Sequence, residues 1–417
     1  MLEIKEHSVV KTRKVGATVL LMAMVMLGVF PVDVLLPSFP SLSQHFSTTT
    51  SEIALSISFF AIGISLSQLL IGPLSDMLGR KTLLLAGMAV SIAGALGCVW
   101  ATNYEYFLLF RVIQAVGCGC FVLSQALVQD LFIGKERDRL RILMVTASGI
   151  FISVSPLAGS VLQELMDWQG SFYVFAVISA LVFIKALVSL ENLPINNTGP
   201  RIGILRTYRR ICSDFNFVAY WLIVAIVFAC HFSFIVISPL IFMEQLQLSS
   251  YEFSQTLLVY GAAYVTGGIL AGVMNKHMEA GTQIVIGLSL IFVAGLVMLI
   301  LRNQFGLSVF TMLLPMIICT AGTTITRPAA TSKAMELFPD NAGASASAGN
   351  TLIFISGGLI SALINLSTNN LQITLALSFI VLSGIGKLRS TCHAAAASPN
   401  FLGTQRYLPK NDRCFVY

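Results

Sequence analysis

Residues 72–81 read Gly72-Pro73-Leu74-Ser75-Asp76-Met77-Leu78-Gly79-Arg80-Lys81. An unbroken apolar run lies on either side, 51–71 before it and 82–101 after it. Each run is about the 20 residues that a helix needs to cross the hydrocarbon core of a bilayer. Pro73 and Gly79 interrupt helix, and Asp76, Arg80 and Lys81 are costly to leave in lipid. The stretch therefore predicts a tight polar hairpin between two membrane helices, on the cytoplasmic side where Arg and Lys collect.

The rest of the 417-residue chain repeats this alternation of apolar runs and polar breaks. Hydrophobic residues make up 56% of it and charged residues 11%, and the mean hydropathy is +0.84. So few charges cannot cover a water-soluble globule of this size. An ordinary soluble enzyme, a secreted disulfide scaffold and a disordered chain are excluded, which leaves a polytopic membrane protein. Twelve spans are expected, at 15–37, 51–71, 82–101, 104–130, 142–165, 170–190, 215–240, 250–274, 281–301, 306–332, 343–367 and 371–387. The runs are continuous and do not alternate, so they read as helices and not as strands of a barrel. The first has a basic flank but no small-residue cleavage site, and reads as an uncleaved helix.

With the N-terminus placed inside, 22 of the 25 Lys and Arg residues fall in inner segments and one, Arg302, in an outer loop. The remaining two, Arg111 and Arg327, lie inside predicted spans. This asymmetry predicts both termini on the cytoplasmic side. The break after the sixth span is the longest internal one, and its Pro194, Gly199 and Pro200 read as linker. The organisation is a six-helix bundle over 1–190, a cytoplasmic linker over 191–214, a second six-helix bundle over 215–387 and a tail of no assigned role over 388–417.

Charges inside a membrane span are functional candidates by default. Arg111, in Arg111-Val112-Ile113-Gln114-Ala115-Val116-Gly117, lies about 10 Å below the outer end of the fourth span. Asp33, in Pro31-Val32-Asp33-Val34-Leu35-Leu36-Pro37, lies four residues before the outer end of the first. The two are at matching depth and can pair if these spans face each other. Pro156 and Gly159 in the fifth span combine a kink with close packing. His231, in the seventh span, reads either as a titrating group or as a hydrogen-bonded core residue. Arg327, near the inner end of the tenth, reads as a snorkelling side chain or a functional one. The eight cysteines form no CxxC pair, and no metal site, redox site or Walker A loop is present in the sequence.

These segments resemble one family. The pattern G-x-L-x-D-x-x-G-R-K at 72–81 is similar to the loop signature of the major facilitator superfamily. The pattern at 111–117 resembles the R-x-x-Q-A/G-x-G run of its proton-coupled members. Asp33-Val34-Leu35-Leu36-Pro37 resembles the D-x-x-L-P element of the twelve-span drug:proton antiporters, particularly the Bcr/CflA-like subgroup. The resemblance implies an all-α major facilitator fold of two six-helix bundles. It implies a conformational latch of Gly72, Asp76, Gly79, Arg80 and Lys81, with Arg80 pairing with Asp76 and Asp130. It assigns proton coupling and transport to Asp33, Arg111 and Gln114, and helix packing or kinking to Gly117, Pro156 and Gly159. The second acid that some relatives carry about two turns before Asp33 is Val25 here, and the arginine of their W-R-x-x-F element is Gln169.

The implied function is proton-coupled export of drugs or small organic metabolites by alternating access. Two alternatives stand beside it. One is transport of a single metabolite such as a siderophore, in either direction; the other is a membrane receptor or scaffold without transport. No catalytic cluster points to an enzyme. The partners implied are a small organic substrate, protons and the lipid bilayer, with no cofactor, metal or nucleic acid. The expected state is a monomer in the bacterial inner membrane.

Overall fold

The computed structural model describes residues 2–132, 134–190, 204–338, 342–367 and 370–396. Within these helices the side chains of Asp76 and Asp130 lie outside the described residues, as do the linker residues 191–203 and the tail from 397 onward. The described residues are helical nearly throughout, and among them twelve helices are long and apolar enough to cross a membrane.

The first span is α1 (Leu2–Asp33), followed by a 3₁₀ turn (Leu36–Ser38) and the short outer α2 (Phe39–His45). The second is α3 (Thr50–Leu78) and the third α4 (Arg80–Trp100). The break between them is Gly79, whose φ of +90° suits a residue without a side chain. The N-terminus of α3 carries a full capping box, in which Thr49 accepts from the Glu52 amide and Glu52 accepts from the Thr49 amide. The fourth span is not one continuous helix to residue 130, as expected. It is α5 (Tyr104–Cys118), a 3₁₀ turn (Gly119–Val122) and α6 (Leu123–Leu131). The fifth and sixth are α7 (Gly134–Met166) and α8 (Gln169–Ser189).

Part of the expected linker is structured, as helix α9 (Ile204–Cys212). Arg206, Arg209 and Arg210 are exposed on it and Ile211 is buried, so the helix is amphipathic. The second half comprises α10 (Phe215–Pro239) with a π-helical turn (Leu240–Gln245), α11 (Ser250–His277), α12 (Ala280–Phe305), α13 (Val309–Glu336), α14 (Ala342–Asn365) and α15 (Leu371–Ala396). Helix α15 runs nine residues beyond the expected end of the twelfth span at 387, because the Ala-rich 394–396 stretch continues to favour helix.

Within the first half α4 packs on α5 and α8, and α1 on α7 and α8. In the second, α12 packs on α13 and α15, and α10 on α13 and α14. The halves meet chiefly along two seams, α3 against α14 and α7 against α11. Both seams are held by short polar side chains, which let backbones approach closely and supply hydrogen bonds in place of a hydrophobic drive. Hydrogen bonds tie both seams at the ends nearest α2. Asn365 Nδ2 donates to the Ser51 carbonyl at 2.7 Å, Ser58 and Ser361 hydroxyls meet at 2.9 Å, Ser250 Oγ donates to the Pro37 carbonyl at 3.2 Å, and Ser254 Oγ to the Pro156 carbonyl at 2.9 Å.

Candidate functional site

The site is built where α1 stops. Pro31 has no N–H to give, and Pro37, four residues after Asp33, cannot cap the Asp33 carbonyl. The helix ends at Asp33 and the chain turns through the 3₁₀ segment. The turn leaves backbone carbonyls near the middle of the bundle without helical partners. Arg111 takes one of them: its guanidinium donates to the Pro31 carbonyl at 3.1 Å and to Gln114 Oε1 at 2.8 Å. Gln114 follows on the same face of α5, one turn on. The guanidinium stacks over the Phe60 ring at 4.3 Å, with Phe172 at 5.7 Å, and the side chain is fully buried. This is a cation held by one amide, one carbonyl and two aromatic faces.

The pairing of Asp33 with Arg111 does not form. No ion pair joins them, because both guanidinium arms that bond are turned to Gln114 and to the backbone two residues before Asp33. Asp33 is 6% exposed, and among the described residues no group donates a hydrogen bond to its carboxylate. Sequence depth placed the two charges at the same level correctly, but depth does not say which way each side chain turns.

The packing residues sit at close approaches. A Cβ on Gly159 would lie 2.2 Å from the Val34 carbonyl oxygen, so Gly159 lets α7 touch the turn that follows Asp33. A Cβ on Gly117 would lie 2.3 Å from the Ser91 amide, which joins α5 to α4. The carbonyl of Pro156 receives the Ser254 hydroxyl across the half boundary. In the inner hairpin, Arg80 donates to Ser75 Oγ, Lys81 Nζ donates to the Leu187 carbonyl at 2.8 Å, and Gly72 faces Ser347 of α14. The expected partners of Arg80, Asp76 and Asp130, have side chains outside the described residues.

His231 lies at mid-membrane on α10, buried, with Nδ1 hydrogen-bonded to the Tyr260 hydroxyl and the rings stacked at 5.6 Å. Arg327 is half-buried, its guanidinium 5.5 Å from the Phe228 ring centroid. The residues that sequence reading missed are the hydroxyls of the seams and Tyr260. Scattered Ser and Thr in apolar runs were the available signal, but a single helix does not reveal which of them meets a partner 300 residues away.

A sequence profile of the Major Facilitator Superfamily matches residues 19–362. The chain is 25% identical over 368 residues to the uncharacterized MFS-type transporter YdgK of Bacillus subtilis, covering 87% of this chain and 91% of that one. It is 26% identical over 359 residues to multidrug resistance protein D of Escherichia coli, covering 85% and 89%. Among solved structures, the crystal structure of a D-xylose-proton symporter superposes with a TM-score of 0.73 at 14% identity, over 90% of this chain and 96% of that one, a likeness of fold alone.

Proposed function

Because this chain belongs to the major facilitator superfamily, we propose that it is a proton-driven antiporter that exports drugs or small organic metabolites by alternating access. It is a multi-pass membrane protein and a transporter of small molecules. The name of its Escherichia coli relative speaks for drugs as cargo.

The observation that carries the reading is Asp33: a carboxylate on a residue only 6% exposed, with no hydrogen-bond donor and no counter-ion among the described residues. Enclosing an uncompensated charge costs several kcal/mol. Arg111 does not offset that cost, since it is engaged elsewhere. A proton or a substrate group must therefore neutralise Asp33 before the halves rock over it. The two compete for one position, which is the physical condition for exchange. Arg111 in turn anchors the turn that carries Asp33, so that the carboxylate moves with the first half. The inner rim of basic residues supports cytoplasmic termini. Both bundles lie in one chain, so a monomer suffices, and no reaction chemistry is required of it.

The test is exchange in proteoliposomes with an imposed pH gradient. Addition of chloramphenicol is expected to move protons opposite to the drug. If neither chloramphenicol nor a panel of siderophores moves protons, the reading is wrong.

A further inference from the structure

Helix α9 rides on the second half. It packs against α10 and α14, and only Ser213 and Asp214 separate it from α10, whose Phe217 amide Asp214 caps at 2.8 Å. Its Ile211 is buried and its Arg206, Arg209 and Arg210 are exposed, so one face is docked and the other is bare. The half-buried Tyr208 donates from its hydroxyl to Ser347 Oγ of α14 at 3.1 Å. Ser347 gives its own proton to the Gln68 carbonyl of α3 at 3.0 Å. A hydroxyl has one proton, so with that proton spent on a carbonyl Ser347 accepts from Tyr208. The result is a directed chain from the linker helix, through the second half, to the first.

The chain ends on the part of α3 that leads into the 72–81 hairpin, and the sequence explains why. Pro73 has no N–H, so the Leu69 carbonyl, four residues before it, lacks its helical donor. The Tyr208 hydroxyl lies 3.4 Å from that carbonyl. Gly72 leaves room for Ser347 to come in, since a Cβ there would lie 3.3 Å from its Oγ. One turn further along α14, Thr351 Oγ1 donates to the Ser65 carbonyl at 3.3 Å. These cross-seam bonds at the linker end are thus neutral hydroxyls on backbone carbonyls of α3. Each is weak enough net to part, while a chain in which one donor polarises the next holds better than its members alone.

We propose that Tyr208 is a positioning residue for alternating access. It turns the Ser347 hydroxyl toward Gln68 and sets its own hydroxyl beside the Leu69 carbonyl that Pro73 leaves without a helical partner. It thereby favours the state in which the linker ends of α3 and α14 are together. Opening of that end breaks the bonds to α3, while Tyr208 and Ser347 stay with the second half. The linker helix is then a working part of the hairpin at 72–81 and not only a connection. The inference rests on the transporter reading, which supplies the opening, and deepens it by naming a residue that sets the balance between the two states.

Distances between spin labels measure that balance without transport. The full-length protein, freed of native cysteines, is placed in nanodiscs. One pair of labels, at Leu78 and Leu337, reports the linker end, and a second, at Trp100 and Phe305, the opposite end; all four side chains are exposed. Tyr208→Phe is expected to raise the long-distance population at the linker end about fivefold, the weight of one net hydrogen bond. The opposite pair is expected to shorten, as rocking of the halves requires. Ser347→Ala is expected to reproduce the shift, and the double variant to exceed it by little, because Tyr208 acts through Ser347. Arg209→Gln, on the bare face of α9, is expected to leave both distributions as they are. An unchanged linker-end distribution in Tyr208→Phe overturns the proposal. So do broadening of both ends together, additive effects of Tyr208→Phe and Ser347→Ala, or an equal shift from Arg209→Gln. If chloramphenicol drives no proton exchange and the labels still respond, the drug reading fails and Tyr208 keeps its role. If exchange occurs and the labels do not respond, this inference fails alone.

Discussion

Arg111 donates to the carbonyl of Pro31, two residues before Asp33, and not to Asp33 itself. The buried cation therefore braces the backbone that presents the acid and leaves the acid free. On the proposed proton exchange, Asp33 keeps its carboxylate for protons and cargo, while Arg111 fixes where that carboxylate stands.

The fork geometry makes Arg111 hard to replace. Lys has one nitrogen on a flexible stem and cannot hold Gln114 and Pro31 in the same arrangement. Arg111→Lys is expected to cost about 1.5–3 kcal/mol for the charge-assisted bond it loses. A lowered midpoint in thermal unfolding, together with at least a tenfold loss of proton-driven transport, would show this. A variant as stable and active as the parent would remove Arg111 from its bracing role.

Asp33→Asn keeps the shape of the side chain and removes its charge change. Uphill transport under a pH gradient should vanish, while downhill exchange and some substrate binding persist. Uptake measured with and without the gradient separates the two. Undiminished uphill transport would place the coupling group elsewhere.

Ser58 and Ser361 lie across the seam between α3 and α14, with hydroxyls 2.9 Å apart. Cysteines at both positions, in a background freed of the native cysteines, are within bonding reach. Oxidation should lock the outer side closed and stop transport, and reduction should restore it. Crosslinked protein that still transports would show that this seam does not part.

Asp167 lies in the outer hairpin between α7 and α8, outside the membrane spans. Partial burial pushes its carboxyl up, but hydrogen bonds from Ser41, Gln163 and the Trp168 amide, with His45 nearby, outweigh this and hold it below the usual carboxylate range. A group depressed in the folded state stabilises it above the unfolded value, near pH 4, and that contribution is lost as pH falls through the lower folded value. Asp167→Asn should therefore flatten the acid limb of stability below about pH 4. Thermal midpoints measured from neutral to strongly acid pH check it, and an unchanged acid limb would assign that limb to other carboxylates.

Much of the architecture was readable along the chain, because crossing a bilayer imposes one-dimensional rules. Length of apolar run, the inner bias of Lys and Arg, and the breaks at Gly and Pro are local or summed properties, and they led to twelve spans in two halves. The hairpin at 72–81 was legible for the same reason: a helix must stop where charge and Gly79 coincide. Local helical preference in the linker and beyond residue 387 was readable in principle, but it was hidden behind an expectation of polar connection and tail. The 3₁₀ break at Gly119–Val122 depends on contacts from neighbouring helices and carried no such signal.

What the sequence by itself determined is thus the membrane, the number of crossings, and which few charges remain inside. Only the tertiary structure decided how those charges are used. Asp33 and Arg111 share a depth, yet the turn at Pro31 and Pro37 offers Arg111 a bare carbonyl and leaves Asp33 without a hydrogen-bond donor among the described residues. His231 was a lone residue in an apolar run until Tyr260, from α11, was seen to hydrogen-bond its Nδ1. Depth in a membrane follows from counting residues, whereas partnership depends on the rotation of each helix and on where backbone groups fall free, and both are settled by packing.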